Sequence, residues 1–376
     1  MKAILEHDMR MKAAAWVVAG AIALSGAVRA QQTATSTQPT TAKAAATAKQ
    51  PVAPTAQKKA LCGPVTMGEL AFLRGKGGVE NNFDELNAHP NVYVGVVVIA
   101  SWRDIEPAQG KFNFGEIDHA LANIQKYNAA HQQHPVVGKL RVYAAGETPV
   151  WAQTLGGAPV KITDKRGTHE LGRFWTPEYM DAWRGLQAAL AARYDADPLM
   201  GEVAVSECTS GTAEPFVIWL RGEDLPAWRE AGFTDAKYKA CLMSAIDDYA
   251  VWKQTPIDYT FNGFRNVDSG TPVPDADFPV AVMKAFRGKY GARGVLANHG
   301  LDTGKDEPGV EAMAKIGPPI EFQAVSQGVS WDGVVQLAIH YGATEMEFNN
   351  SKDAGGTADF SLGDLVKWKA EMQCGK

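Results

Sequence analysis

Two glutamates carry the chemistry this chain offers most plainly. Glu207 ends the apolar run at 201–206, and Glu321 ends the short run at 317–320. Each places a carboxylate where a buried strand runs out. A separation of about 114 residues suits strands four and seven of an eight-fold β/α barrel. Breaking an acetal near neutral pH needs an acid to protonate the leaving oxygen. In the retaining mechanism it also needs a carboxylate on the opposite face to trap the oxocarbenium-like carbon. One residue type serves both roles when the environments differ: an apolar pocket or a like charge keeps one carboxyl protonated, and hydrogen-bond donors keep the other ionised. The bland alternative is a strand-end carboxylate paired with an arginine and a second one capping a loop.

The elements needed to position such a pair are legible along the chain. Apolar runs suited to buried parallel strands alternate with amphipathic helical stretches from Leu61 onward, the signature of repeated β/α units. Eight strand candidates fall at 68–73, 92–100, 139–144, 201–206, 258–262, 294–298, 320–325 and 344–348. Between them, Val334, Val335, Ala338 and Tyr341 share one helical stripe, as do Met180, Trp183, Leu186, Leu190 and Tyr194. Such stripes are core-forming, so Trp183 and Trp252 are assigned to packing. The fold class read here is α/β, a single (β/α)8 barrel of the TIM type over 61–376.

What precedes the barrel reads as an export signal. Arg10 and Lys12 precede the apolar run 13–24, and Val28-Arg29-Ala30 supplies small residues where a signal peptidase reads, so 1–30 reads as a signal peptide. Residues 31–60 are almost entirely Gln, Thr, Ala, Ser, Pro and Lys, too poor in apolar area to order themselves, and read as a disordered linker. The expected location is therefore outside the cytoplasm, periplasmic or extracellular, with no membrane span. The four cysteines lie in the exported part, where oxidation is permitted. Of the three complete pairings, Cys208–Cys241 and Cys62–Cys374 are favoured. The first joins a strand end to the helix covering it, and the second joins the two ends of the barrel. The chain has 376 residues, is 45% hydrophobic and carries a net charge of −5, so it is not markedly basic and nucleic acid is not expected as a partner.

After strand two the sequence runs Trp102-Arg103-Asp104-Ile105-Glu106-Pro107, then Gly110-Lys111-Phe112-Asn113-Phe114, and strand three leads into Thr148-Pro149-Val150-Trp151. In these segments the chain resembles the clan A glycoside hydrolases, β-galactosidase-like and related retaining glycosidases, weakly over the whole domain and most specifically at 102–114. That resemblance implies an acid/base at the end of strand four and a nucleophile at the end of strand seven, matching Glu207 and Glu321. The family carries Asn directly before the acid/base, and Ser206 stands there instead. Glu106, in a Glu-Pro turn, is expected to be structural.

Sugar rings present apolar faces, so aromatic side chains near the barrel mouth are expected to stack on them. Trp102, Trp151, Trp175 and Trp331 follow strands and are the candidates. Asn262, Asn298, His299, Gln323 and Arg141 are placed to hydrogen-bond sugar hydroxyls. Glu345 and Glu347 share one face of strand eight and are expected either to bind sugar or to pair with Arg141 or Arg74, with Glu347 a substitute nucleophile if strand seven were misread. His299 has no second histidine or cysteine at ligand spacing, so neither a metal nor an organic cofactor is expected. The expected activity is hydrolysis of O-glycosidic bonds of an oligosaccharide or polysaccharide by two glutamates. The alternative is a non-catalytic polysaccharide-binding barrel of the cell envelope. Sugar, linkage and oligomeric state are left open by the sequence.

Overall fold

The computed structural model describes residues 57–67, 78–164, 167–216, 223–303, 309–324, 330–348, 359–372 and 374. The segment expected to be a signal peptide, most of the expected linker and the strand expected at 68–73 lie outside them. Eight parallel strands close into a barrel in sequence order: β1 Gly63–Thr66, β2 Gly95–Ser101, β3 Val137–Tyr143, β4 Met200–Ala204, β5 Ile257–Thr260, β6 Gly294–Leu301, β7 Ile320–Ala324 and β8 Glu345–Phe348. Closure is made by β1 against β8, Gly63 opposite Glu345 through Thr66 opposite Phe348. The first strand is thus four residues directly after Cys62, ahead of the run at 68–73.

Helices cover the outer wall, and their apolar stripes are those the periodicity predicts. Pro177–Tyr194 buries Tyr179, Trp183, Leu186, Leu190 and Tyr194, and Trp331–His340 buries Val334, Val335 and Ala338. Proline at the first turn of the former suits a position where the N–H has no intrahelical partner. Ser330 caps the latter by accepting from the Gly333 N–H. No helix among the described residues is long and apolar enough to cross a membrane.

Side-chain alternation along each strand divides the barrel interior into two halves. Val65 on β1 and Met67 just after it, Val97 and Ile99 on β2 and Tyr143 on β3 make an apolar side with Leu61 and Ala213. The opposite side is charged: Lys139 and Arg141 from β3, Glu202 from β4, Asp258 from β5, His299 from β6, Glu321 from β7, and Glu345 and Glu347 from β8, all buried.

Both cysteine pairings hold, Cys62–Cys374 and Cys208–Cys241. The first closes a loop of 312 residues in sequence. Cross-links of this kind act chiefly by restricting the unfolded chain, so a Cys62→Ser, Cys374→Ser double variant is expected to lose about 2–5 kcal/mol. Urea unfolding with and without reductant checks this: the wild type under reduction should fall to the variant's midpoint or lower, and an unchanged midpoint would refute it.

Candidate functional site at the carboxyl end of the barrel

At the centre of the charged half, the Lys139 ammonium lies 2.8 Å from Asp258, 3.0 Å from Glu347 and 3.1 Å from both Glu202 and Glu345. Burial alone would lower this lysine, but the charges of Asp258, Glu321, Glu345 and Glu347 outweigh it and hold the group well above its ordinary value. Arg141 grips both oxygens of Glu347 at 2.7 and 2.9 Å. Against the push of burial, Arg141 and Lys139 keep the Glu347 carboxyl far below the usual range. Glu202 goes the other way: burial, reinforced by Asp258 and Glu321 and opposed by Lys139, pushes it up to about 7. Burial and the neighbouring Glu202 push Glu345 well above the ordinary carboxylate value. Glu345 and Glu347 thus pair with β3, Glu347 with Arg141 as the sequence suggested and both with Lys139, which the sequence reading did not single out.

One layer nearer the carboxyl end, His299 stands between two carboxylates. Its Nε2 lies 3.2 Å from Glu321 Oε2 and its Nδ1 lies 3.3 Å from Glu214 Oε1. The Glu321 contact is an aligned hydrogen bond, whereas the Glu214 contact is close enough for an ion pair but leaves Nδ1 without a well-directed acceptor. Burial lowers His299, yet the Glu321 charge and the two carboxylate contacts raise it to about 10. Burial raises the Glu321 carboxyl, and although Lys139 and His299 oppose that shift it stays above its ordinary value. Glu321 is fully buried, and the Glu214 side chain is 27% exposed. Asn262 Nδ2 reaches Glu214 Oε2 at 3.4 Å, and Thr260 Oγ1 lies 3.4 Å from His299 Nε2.

Glu207 is elsewhere. Glu202 faces the lumen, so alternation turns a residue five positions later toward the helices, and Glu207 follows that parity. Its carboxylate lies within 4.8 Å of the Cys208 and Cys241 sulfurs, and its charged neighbours are Asp248 and Arg184 from the helix layer. Cys208 then leaves the strand register at φ 61°, which carries it too to the helix side, where it bridges Cys241. Glu207 and Glu321 therefore occupy opposite faces of the strand wall. Burial first, and then the Asp248 charge, push the Glu207 carboxyl well above its ordinary value, and neither oxygen accepts a hydrogen bond from a donor. A carboxyl whose folded value is raised stabilises the fold at acid pH and loses that contribution as pH rises from the unfolded value through the folded one. Glu207→Gln is thus expected to be more stable than wild type at neutral and alkaline pH and to converge with it at acid pH. Thermal melts across pH test this, and a variant less stable throughout would contradict it.

The tryptophans expected to stack on sugar pack against other aromatic side chains instead. Trp102 sits edge-on to Trp151, Tyr179 and Trp183, and its Nε1 donates to Glu106 Oε2 at 2.9 Å. Trp175 stacks on Trp228, and Trp331 on Phe348. Trp151, partly buried, donates to the Glu106 carbonyl. Glu106 also accepts from the Gly110 N–H, so the 102–114 segment serves to fix the turn after β2, the structural role expected of Glu106. Asn298 is likewise spent on backbone, donating to the Phe261 carbonyl and accepting from the Gly300 N–H. Of the expected hydroxyl-binding residues, Arg141, His299, Asn262 and Gln323 remain on the mouth side. Glu214, Glu202, Asp258 and Lys139 join them. Charges at lumen parity inside otherwise apolar strands marked the last three; nothing local marks Glu214.

No family model matches this chain, and no curated protein does. Among solved structures it is similar to the catalytic domain of a β-amylase from Paenibacillus polymyxa, at 11% identity over 85% of this chain and 99% of that one, TM-score 0.49. It is also similar to endo-glycoceramidase II from Rhodococcus sp., at 15% identity over 83% and 80%, TM-score 0.45. A third is an exo-β-1,4-mannosidase from an Opitutaceae bacterium, at 12% identity over 83% and 60%, TM-score 0.48.

Proposed function

We propose that this barrel hydrolyses O-glycosidic bonds of an oligosaccharide or polysaccharide outside the cytoplasm. The observation that carries the reading is the Glu214–His299–Glu321 arrangement: Glu214 follows β4 and His299 lies toward the carboxyl end of β6, where barrel enzymes place their chemistry, and Glu321, the second residue of β7, meets His299 at 3.2 Å. In this reading Glu321 is the nucleophile, with the His299 and Lys139 charges opposing the upward push of burial on its carboxyl, and the anomeric configuration is retained. Glu214, on the solvent side of the same imidazole, is the carboxyl that gives its proton to the leaving oxygen and later takes one from water. The resemblance at 102–114 and 148–151 supports the same class, and the two disulfides agree with export.

A panel of aryl glycosides and plant or bacterial polysaccharides tests it, with product anomers followed by NMR. Wild type should cleave a member of the panel with retention; inversion would recast Glu321 as the base that activates water. Glu214→Gln should lose activity most on substrates with poor leaving groups, because these most need protonation. If Glu207→Gln showed that pattern and Glu214→Gln did not, the acid role would pass to Glu207. The second reading, a non-catalytic polysaccharide binder, is favoured by the placement of Glu207 away from Glu321. Saturable polysaccharide binding with no turnover would establish it.

A further inference from the structure

We infer that Asp258, His299 and Glu321 form a binding site for a divalent transition-metal ion at the barrel mouth. One ligand atom from each, on the neighbouring strands β5, β6 and β7, lies within 4.8 Å of the others. His299 Nε2 and Glu321 Oε2 are 3.2 Å apart, a spacing that two ligands take around one ion when each bond is about 2.0–2.2 Å.

Two further observations point to a cation. Glu321 Oε1 is buried and accepts no hydrogen bond, an expensive condition for a carboxylate oxygen, and Asp258, whose Oδ2 pairs with Lys139 at 2.8 Å, leaves its buried Oδ1 without a donor. Among the described residues the mouth and lumen hold six carboxyls, Glu202, Glu214, Asp258, Glu321, Glu345 and Glu347, against Lys139, Arg141 and His299, with Glu202 and Glu345 pushed toward their neutral forms. Lys139 is the resident cation nearest the site. It holds Glu202, Glu345 and Glu347 at 3.0–3.1 Å in addition to Asp258, so it keeps partners when Asp258 turns to an ion.

One imidazole nitrogen with two carboxylates suits zinc, cobalt or manganese better than calcium or magnesium, and three protein ligands leave a position for water. Binding requires neutral imidazole, so the ion displaces one proton from His299 to the buffer. The regulatory consequence rests on the proposed role of Glu321: an ion on that carboxylate excludes its attack on sugar, so metal and substrate compete.

The test is calorimetric titration of the chelator-stripped chain with Zn²⁺ and with Co²⁺, in two buffers of different ionisation enthalpy. Wild type should bind one ion with micromolar or tighter affinity, release a proton, weaken at acid pH and develop visible absorption with Co²⁺. His299→Ala, Asp258→Asn and Glu321→Gln, each checked for folding by circular dichroism, should bind at least about tenfold more weakly. Failure to saturate below millimolar metal, or undiminished affinity in the folded variants, would overturn the inference. No substrate enters this measurement. A chain that takes the ion but cleaves no glycoside keeps the metal site and dismisses the catalytic reading, and the converse result does the reverse.

Discussion

Replacing Lys139 with Met is expected to destabilise the barrel by about 3–5 kcal/mol, because removing one partner of a buried ion network strands the others. Here a single ammonium stands within 2.8–3.1 Å of four buried carboxylates, and Met conserves the stem while deleting the charge. The pH dependence is part of the prediction. Lys139 is raised above its unfolded value, so its contribution is complete below that value and fades only as pH rises through the folded one; neutral pH retains all of it. Glu202, raised to about 7, adds stability that is complete below its unfolded value and disappears as pH rises through about 7. Without Lys139 the Glu202 carboxyl rises further, so the variant should lose stability more steeply than wild type across the neutral range and recover toward acid. Urea titrations at several pH values measure this, and equal stability of the two proteins at neutral pH would show that the network is not held by its lysine.

The second large effect is on activity. Glu321→Ala should lower kcat on an aryl glycoside by on the order of 10⁴-fold, the scale at which loss of a reacting side chain acts. Azide should restore turnover by entering the space the carboxylate leaves and yield a glycosyl azide of inverted configuration. The fold should survive, since Lys139 keeps four carboxylates and His299 keeps Glu214, so circular dichroism separates lost chemistry from lost structure. A folded Glu321→Ala protein with wild-type turnover would remove Glu321 from the mechanism.

Much of this architecture was legible before any coordinates. Seven of the strands fall on the apolar runs, because parallel strands covered on both faces must be apolar nearly throughout. The exception is instructive. Gly63–Thr66 is too short to announce itself and becomes a strand by pairing with β2 on one side and, on the other, with residues some 280 positions later. Both cysteine pairings were readable because each joins elements that the barrel must bring together.

The site was read less well, and the reasons are specific. Parity between Glu202 and Glu207 was available in the sequence, but a carboxylate at a strand end drew the reading ahead of the one inside the strand. Trp102 and Trp331 begin helices and Trp175 shortly precedes one. Trp331 stacks on Phe348 of β8, Trp102 packs on Trp183 of the covering helix, and Trp175 packs among Phe174, Trp228 and Phe233, so these rings are spent on packing. Glu214 sits in the connection after β4 with no periodic pattern around it, and only the closed barrel carries it to His299.

The bridge between Cys62 and Cys374 makes the barrel a closed covalent ring. A pull applied between the two ends of the chain passes from one cysteine to the other and never reaches the strands between them. Only reduction of that bond would expose the fold to a force applied between its ends.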